Sequence, residues 1–431
     1  MPRLSTSLLL KAYQENTLLP LLLKECRSLD SARNELRWLR ERALRDAQER
    51  SHFRQDQDQV TGTHIGWRTR LRAMCHRRSQ GVPLQYLLGD QPFGDLEILC
   101  RRGVLIPRSD TESYTYEAAR LVRQMALETK DNNSPTPSQP HKAKSLRILD
   151  LCTGTGCMAL LLHALLASHF DRIQITGVDI SPIALNLARR NLEHNIRLGG
   201  LDSRARVDVE FHRADVLRRN NNSSNGIDTS GNAIPTVEEL LLSNLNLTTQ
   251  SEIEHTETTT TLPKIDLLIS NPPYISSTDF HNGTTARSVR LFEPKLALVP
   301  PIDIPATTDT AHSIGSKGDE GDNDKPEDIF YRRILELSLD VRARITVLEC
   351  GDRMQAERVV GMVKGMNSSG SEGDNEGEGG GGGLKVEVWP DTEEDCLSNG
   401  FHVRDGSSVT IDHLTAAAAS VGIGYMVTWL H

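Results

Sequence analysis

A four-residue motif, NPPY at 271–274, combines groups that suit chemistry on a planar nitrogen. It follows an apolar run, residues 264–270, which predicts a short buried strand of a parallel sheet. Neither proline has an N–H, so the Asn271 side chain and the Pro272 carbonyl are available to accept the two hydrogens of an –NH2 group, while the Tyr274 ring packs on its face. Such an arrangement fixes a nitrogen for attack on an electrophile. Taken alone, the motif is more typical of a plain strand-to-loop turn.

A glycine-rich turn, CTGTG at 152–156, lies about 120 residues upstream of this motif. It joins an apolar strand, residues 146–151, to an apolar helical stretch, so backbone can approach a ligand closely at a helix N-terminus with unpaired N–H groups. A second strand, residues 173–178, ends in Asp179, about 25 residues after the turn. In doubly wound folds an acid at this place binds the two ribose hydroxyls of a nucleoside cofactor.

The glycine-rich turn by itself also fits a dinucleotide site. Ala159 occupies the third glycine position of the G-x-G-x-x-G fingerprint, where alanine is tolerated. The NPPY motif has no role in hydride transfer, however. Together the turn, the strand-end acid and NPPY predict a methyltransferase that uses S-adenosylmethionine on a planar amino or amide nitrogen.

The composition is that of an intracellular protein of two or three domains. The chain has 431 residues and a formal net charge of −9, yet residues 1–80 carry 16 Lys and Arg against 9 Asp and Glu. This basic portion suits an acidic partner or RNA, although a solvated helical face is the simpler interpretation. Seven irregularly spaced cysteines indicate reduced thiols, and no Cys-x-x-Cys motif or His cluster predicts a metal site. No apolar stretch reaches membrane-spanning length.

The N-terminal third is predicted to be mostly helical. Leucines and alanines recur at helical spacing within residues 15–125. A β-hairpin is expected from residues 91–99 and 101–106, turning at the Arg-Arg-Gly at 101–103. Ser109 is then predicted to cap the next helix, with Glu112 three residues later completing a capping box.

From Leu146 onward, strands and helices alternate as in a doubly wound sheet. Three polar interruptions, at 218–262, 303–327 and 366–383, are expected to be disordered surface insertions because they lack apolar residues for a core. An antiparallel edge pair within 384–389 and 423–430 completes the sheet.

The predicted fold class is therefore α/β: a seven-stranded Rossmann-like class I methyltransferase sheet with an N-terminal helical domain and a linking β-hairpin. The expected domains are an N-terminal helical domain at 1–90, the hairpin and a connecting helix at 91–128, and the S-adenosylmethionine-dependent methyltransferase domain at 129–431.

The chain resembles the protein-(glutamine-N5) methyltransferases of the HemK/PrmC family, over most of residues 18–410 apart from the three insertions. The resemblance is carried, in order, by PLQYLLG (83–89), LIPRSDTE (105–112), DLCTGTG (150–156), GVDIS (177–181), SNPPYI (270–275), LFEPKLAL (291–298) and LECG (348–351). NPPY is shared with DNA adenine methyltransferases and some ribosomal RNA methyltransferases. LIPRSDTE joined to an N-terminal helical region is far more specific to this family.

The resemblance implies two sets of site residues. The cofactor-binding residues would be Cys152, Thr153, Gly154, Thr155, Gly156, Asp179, Asp215, Val216 and Asn271. The substrate amide site would be Asn271, Pro272, Pro273 and Tyr274, with Asn271, Pro272 and Tyr274 as catalytic residues and no metal.

Two of these positions depart from the family pattern. Cys152 replaces the usual first glycine of the turn, and Val216 replaces a bulky aromatic that would stack on adenine. Asp215 has two open interpretations, since its carboxylate would either accept from the adenine amino group or cap the next helix.

The resemblance also implies the partner, a peptide-chain release factor whose Gly-Gly-Gln loop carries the methylated glutamine, with no direct nucleic acid required and no membrane. The alternative is a nucleic-acid amino methyltransferase acting on adenine N6 or guanine N2. It would need a basic channel and stacking aromatics, whereas aromatic residues make up 4% of the chain and the catalytic portion is acidic. A non-catalytic cofactor-binding scaffold would be expected to have lost NPPY or the ribose acid, and both are intact.

A mitochondrial (matrix) location is expected, with the cytoplasm as the alternative. An N-terminal helical domain accompanies the bacterial and organellar family members, and the low-complexity insertions favour a eukaryotic chain. The first 14 residues contain Arg3 and Lys11 with three hydroxylated residues and no acid, which faintly resembles a mitochondrial presequence.

Overall fold

The structure is a computed structural model that describes residues 4–55, 66–128, 143–219, 234–249, 261–301, 325–368, 385–390 and 425–430. The chain divides into two compact units. The first comprises the described residues up to Gln91, together with Leu99–Ile106 and Asn282–Pro294, and the second comprises the rest.

The first unit is helical. Its helices are α1 Thr6–Glu15, α2 Leu19–Cys26, α3 Leu29–Gln55, α4 Trp67–Ser79, α5 Leu84–Leu88 and α12 Arg287–Phe292. Ser5 caps α1 by accepting the Leu8 N–H at 3.2 Å. Buried residues such as Leu22, Leu39 and Cys75 form one apolar cluster, so the helices pack around a core of their own.

The β-hairpin lies further upstream in the chain than the sequence predicted. Strands β1 Asp90–Phe93 and β2 Leu96–Leu99 pair with each other and turn at Gly94-Asp95. A two-residue Gly-Asp connection is a favoured hairpin turn, whereas Arg101-Arg102-Gly103 forms only a local turn after the second strand. The expected turn at 101–103 was therefore wrong.

The predicted capping box at Ser109 is also wrong. Helix α6 spans Ser109–Glu128, and the N–H of Glu112 donates to the carbonyl of Arg108 at 3.1 Å. The Ser109 hydroxyl instead donates to the carboxylate of Asp110 at 3.0 Å. Because Arg108 already supplies the first helical acceptor, Ser109 lies inside the helix rather than at its cap.

A sheet of seven strands dominates the second unit. In spatial order its strands are β5 Val209–Arg213, β4 Phe170–Asp179, β3 Ala143–Leu151, β6 Leu267–Ser270, β7 Ile345–Cys350, β9 Tyr425–Leu430 and β8 Lys385–Pro390. The first five are parallel, and β9 pairs antiparallel with both β7 and β8. The prediction of an α/β fold built on a parallel sheet is confirmed.

Both faces of the sheet are covered, so successive strand residues enter different cores. Ile148 packs in the first apolar cluster of this unit, and its neighbour Leu149 packs in the second apolar cluster. The remaining helices are α7 Cys157–Leu166, α8 Pro182–Leu198, α9 Ala205–Asp208, α10 Val237–Thr249, α11 Ser277–Asn282, α13 Ile329–Asp340 and α14 Arg353–Ser368, with 3-10 helices at Lys295–Ala297 and Pro326–Asp328.

Among the residues described, no helix is both long and apolar enough to span a membrane.

Part of the first predicted insertion is ordered, which corrects the expectation of disorder across 218–262. Helix α10 lies within it, and Val237, Leu240 and Leu241 are buried in the second apolar cluster. Thr236 and Glu239 form a capping box, since each backbone N–H donates to the other side chain at 2.8 and 3.1 Å. The ends of the other two predicted insertions are ordered as well, since 325–327 enters the 3-10 helix Pro326–Asp328 and 366–368 ends α14. The predicted residues 220–233, 250–260, 303–324 and 369–383 lie outside the described residues, so the expectation stays a prediction there.

Candidate functional site

The carboxyl ends of four neighbouring parallel strands bring the predicted residues to one edge of the sheet. Leu151 pairs with both Val178 and Ser270, and Ser270 pairs with Leu348. The residues that follow these four partners therefore stand at the same level of the sheet: Cys152, Asp179, Asn271 and Glu349. In open α/β sheets this edge is where ligands bind.

The glycine-rich turn has two glycines in the left-handed backbone conformation, and one of them leaves room for a ligand beside the main chain. Gly154 and Gly156 have φ angles of 56° and 78°, in the region that favours glycine. A Cβ on Gly156 would lie 2.8 Å from the Phe211 ring, whereas a Cβ on Gly154 would meet nothing closer than 3.9 Å. Gly156 is thus required for packing, while Gly154 leaves open space beside its backbone at the start of α7.

Thr153 and Thr155 are buried residues that stabilise this turn. Each side chain is 3% exposed. The Thr153 hydroxyl donates to the Asp150 carboxylate at 2.6 Å, and the carbonyl of Thr155 accepts from the Asn191 side chain at 2.9 Å. Burial raises the pKa of the Asp150 carboxyl to about 7, against the opposing effect of the Thr153 hydroxyl. The backbone of Thr153 is also used internally, since its N–H donates to the carbonyl of Val178 at 2.9 Å and its carbonyl accepts the N–H of Gly156 at 2.8 Å. These two threonines therefore fix the shape of the turn.

Cys152 occupies the first glycine position of the turn with a φ of 60°. This left-handed conformation explains why glycine would suit the position, and it places the half-buried cysteine side chain against the second apolar cluster. Burial, followed by the nearby charges of Asp179 and Asp150, raises the pKa of the thiol well above its ordinary value. The cysteine is accordingly a neutral packing residue at this edge.

Asp179 links the glycine turn to the next helix. One carboxylate oxygen accepts the N–H of Gly154 at 2.9 Å, and the other accepts the N–H of Ser181 at 2.8 Å. Burial raises the pKa of this carboxyl, and the backbone N–H groups oppose the rise. The N–H of Ile180 also acts on this carboxylate, and since a carboxylate has about four lone-pair sites, acceptor capacity remains for a hydroxyl donor of a ligand.

Asp215 and Val216 have mainly local roles in the structure. One Asp215 oxygen accepts the N–H of Leu217 at 3.0 Å, which closes a local turn. The next helix, α10, is capped by Thr236, so the interpretation of Asp215 as its cap is wrong. Val216 is 4% exposed and lies in the second apolar cluster, where its side chain presents no stacking surface.

The NPPY residues leave β6 on a well-anchored segment. Pro272 and Pro273 are buried, and the N–H of Ile275 donates to the carbonyl of Leu298 at 2.8 Å. The side chain of Gln355 donates to the carbonyl of Tyr274 at 3.2 Å. Asn271 is half-buried, and its Nδ2 lies 3.3 Å from the hydroxyl of Thr111.

The structure adds two residues that sequence reasoning did not select, Thr111 and Glu349. The Thr111 hydroxyl donates to one Glu349 oxygen at 2.7 Å, and the Tyr274 hydroxyl lies 3.4 Å from the other. Burial raises the pKa of the Glu349 carboxyl to about 7, against the effect of the Thr111 hydroxyl. Thr111 lies in the LIPRSDTE motif and Glu349 in the LECG motif. Glu349 also stands near the end of an apolar strand, as Asn271 does, and this position could have identified it from the sequence.

These features fit a nucleoside cofactor beside a planar nitrogen. A buried strand-end carboxylate with spare acceptor capacity suits ribose hydroxyls, and the open space beside Gly154 leaves room for a ligand along the turn. Asn271 stands two strands from Asp179 at the same edge. No group of three or more metal-ligating side chains occurs among the described residues.

No protein-family model matches the chain. The chain is 33% identical over 300 residues to the mitochondrial MRF1 N(5)-glutamine methyltransferase MTQ1 of Saccharomyces cerevisiae, covering 69% of this chain and 68% of that protein. It is 30% identical over 230 residues to the release factor glutamine methyltransferase of Chlorobaculum tepidum, covering 53% of this chain and 57% of that protein.

Among solved structures, the N-terminal domain of human METTL16 aligns over 83% of this chain and 81% of that chain. Its sequence identity is 14% and its TM-score is 0.36, too low to support any argument about function. The sequence comparisons do carry a conclusion, because the yeast protein is matched over more than two thirds of its length. The chain belongs to the family of release factor glutamine methyltransferases.

Proposed function

We propose that the protein transfers the methyl group of S-adenosylmethionine to the side-chain amide nitrogen of the glutamine in the Gly-Gly-Gln loop of a peptide-chain release factor. Membership of the glutamine methyltransferase family supports this activity. The structural observation that carries it is the shared edge of the parallel sheet. Asp179, the acid proposed to bind ribose, ends one strand, and Asn271, the proposed acceptor for the substrate amide, follows another.

The proposed cofactor site is the glycine turn with the ends of β4 and β5. Asp179 uses its remaining acceptor sites for the ribose hydroxyls, and the backbone of the turn lies along the ligand. Asp215 has a second carboxylate oxygen to offer the adenine amino group. The full proposed set is Cys152, Thr153, Gly154, Thr155, Gly156, Asp179, Asp215, Val216 and Asn271, with Val216 contributing backbone and packing only.

The proposed amide site is Asn271, Pro272, Pro273 and Tyr274. When bound, S-adenosylmethionine supplies an electrophilic methyl group on a sulfonium. An amide nitrogen is a poor nucleophile because its lone pair is delocalised into the carbonyl, so the protein must hold it in line with that methyl group. The Asn271 side-chain oxygen and the Pro272 carbonyl accept the two amide hydrogens, and this raises electron density on nitrogen as positive charge develops there. One of these two hydrogens then leaves the nitrogen as a proton, which gives the neutral N-methyl amide.

Recognition of the release factor is assigned to the N-terminal helical region, within the predicted domain 1–90. Its exposed arginines include Arg37, Arg40 and Arg68, and two of these stack on Trp67 at 5.6 and 4.6 Å. Positive groups of this kind mainly increase encounter rate and selectivity for an acidic partner surface. The hairpin and α6 (within 91–128) and the seven-stranded class I methyltransferase domain (129–431) complete the proposed architecture.

The mitochondrial matrix is the proposed location, because the yeast relative is named as a mitochondrial enzyme. The first 14 residues, expected to resemble a presequence, lie largely in α1, whose Ala12 is buried in the apolar cluster of the helical unit, so they do not support the proposal. Expression with a tag after His431 and an unmodified N-terminus, followed by cell fractionation, tests this. Signal confined to the cytoplasm would contradict the proposal.

The activity is tested with purified protein, labelled S-adenosylmethionine and an intact organellar release factor, followed by peptide mapping. We expect label on the Gly-Gly-Gln glutamine, and much less on a short Gly-Gly-Gln peptide, which lacks the body of the factor. The nucleic-acid alternative is tested in parallel with adenine- and guanine-containing DNA and RNA. Methylation of nucleic acid, or an unlabelled glutamine, would reject the proposed substrate.

A further inference from the structure

The side chain of Asn271 has two ends with opposite hydrogen-bonding properties. Its oxygen accepts hydrogen bonds and its –NH2 group donates them. Only the oxygen can hold a substrate –NH2 group, because two –NH2 groups facing each other are both donors. The proposed amide site therefore works in one of the two orientations of this side chain, and something must select it.

The structure shows how one orientation is selected. The Thr111 hydroxyl has a single hydrogen, and it is given to the Glu349 carboxylate at 2.7 Å. The hydroxyl oxygen is then left as an acceptor, which receives the Nδ2 of Asn271 at 3.3 Å. Since the amide is planar, the Asn271 oxygen faces away from Thr111. All three side chains are at least half-buried, so water competes little for these bonds.

We propose that Glu349 is a positioning residue for methyl transfer, which acts through Thr111 to fix the acceptor orientation of Asn271. It touches neither substrate nor cofactor in this role. Its second oxygen lies 3.4 Å from the Tyr274 hydroxyl, so the same carboxylate also restrains the ring that packs on the amide. The inference rests on the proposed function, since it deepens the account of that site.

The charge of Glu349 matters for this role, because an ionised carboxylate can only accept and so compels Thr111 to donate. The groups that influence Glu349 are Asp110 and Arg108 at the start of α6, the Tyr274 hydroxyl, and the Cys157 thiol of α7. With a pKa of about 7, Glu349 loses its charge as the pH falls below neutrality. The turnover rate is then expected to fall on the acidic side as well.

The decisive comparison is between two substitutions of Thr111. Thr111→Val keeps the shape of the side chain and removes the hydroxyl, so we expect kcat on the release factor to fall about 10- to 100-fold, the effect of a small misplacement of a reacting group. Thr111→Ser keeps the hydroxyl and is expected to recover most of that loss. The affinity for S-adenosylmethionine, measured by calorimetry, is expected to fall no further in either variant than in Asn271→Ala, because Asn271 is the only proposed cofactor contact that Thr111 orients.

Glu349→Gln gives an independent readout. An amide at this position can either donate to or accept from Thr111, so the orientation of Asn271 is no longer imposed. Because the amide does not titrate, the fall of kcat at acidic pH is expected to flatten. The matched control is Glu357→Gln, which neutralises a carboxylate of α14 that pairs with Arg353 and is 48% exposed. Its pH profile is expected to be unchanged. Combining Thr111→Val with Glu349→Gln is expected to add little to the first loss, because both act on one chain of contacts.

The outcomes separate this inference from the proposed function. If the unchanged protein does not methylate the factor, the proposed function fails. If it does, but Thr111→Val retains its kcat, or Thr111→Ser and Thr111→Val lose equally, orientation through the hydroxyl is refuted. A loss of both kcat and thermal stability in Thr111→Val that Thr111→Ser does not restore would also refute it, since a general structural defect would then explain the rate.

Discussion

Replacing Asp179 with alanine should remove the proposed ribose anchor. Hydrogen bonds to a charged group contribute about 1.5–3 kcal/mol, so the affinity for S-adenosylmethionine is expected to fall about 10- to 150-fold. The carboxylate also holds the N–H groups of Gly154 and Ser181 at 2.9 and 2.8 Å, and their loss would loosen the turn. The upper part of this range is therefore the more reasonable expectation for alanine.

Stability is expected to respond less than binding. Burial raises the pKa of Asp179, which means that its charge opposes folding near neutral pH. Alanine removes that unfavourable charge but leaves two N–H groups without their acceptor, and these effects have opposite signs. The isosteric Asp179→Asn keeps one acceptor oxygen and should lose less affinity than alanine.

Isothermal titration calorimetry with S-adenosylmethionine measures the effect, and a thermal melt verifies that each variant is folded. The matched control is Ser181→Ala, which removes the N-cap oxygen of α8 that accepts the Ala184 N–H at 3.3 Å. It should lower stability by about 1 kcal/mol and leave the affinity unchanged. A folded Asp179→Ala protein with undiminished affinity would show that the ribose does not lie at the end of β4.

Three further predictions concern the amide site. Asn271→Ala should lower kcat about 100-fold or more while retaining most of the cofactor affinity, and a near-normal rate in a single-turnover assay would reject the amide site. Gly351→Ala should lower kcat on the release factor, because its Cβ would lie 2.8 Å from the Tyr274 ring; unchanged kinetics would show that the ring moves freely. Glu349 should make folding less favourable as the pH rises from about 4.5 to 7, because its pKa is raised in the folded protein. Urea unfolding should show a smaller decline over this range in Glu349→Gln, by about 2–3 kcal/mol, and equal slopes would contradict the burial of its charge.

The sequence was most informative where apolar strands end. Asp179 and Asn271 follow runs of buried residues, and the parallel register brings both to one edge of the sheet as expected. The pairing of Thr111 with Glu349 was out of reach, because the two are separated by 238 positions in the chain. Only the packing of α6 beside β7 brings them together, and no local pattern encodes that contact.

Two local sequence patterns led to wrong predictions, one at helix α10 and one at the hairpin turn. The Asn- and Thr-rich composition around α10 concealed three apolar residues at helical spacing, Val237, Leu240 and Leu241, which the core needs. Arg101-Arg102-Gly103 predicts a hairpin turn from its composition, but the strands turn at Gly94-Asp95, since a two-residue connection of this kind fits strand twist well.

The inward side chains of Thr153 and Thr155 have a consequence for how this protein can be altered. Both residues are used to hold the turn itself, through the Thr153 hydroxyl on Asp150 and the Thr155 carbonyl on the side chain of Asn191. Alanine substitution along the turn is therefore expected to report folding defects first. Replacing single amide bonds with esters, which deletes one N–H at a time, would measure the main-chain part of this scaffold, because the N–H groups of Thr153, Gly154 and Gly156 each donate to an acceptor within the protein.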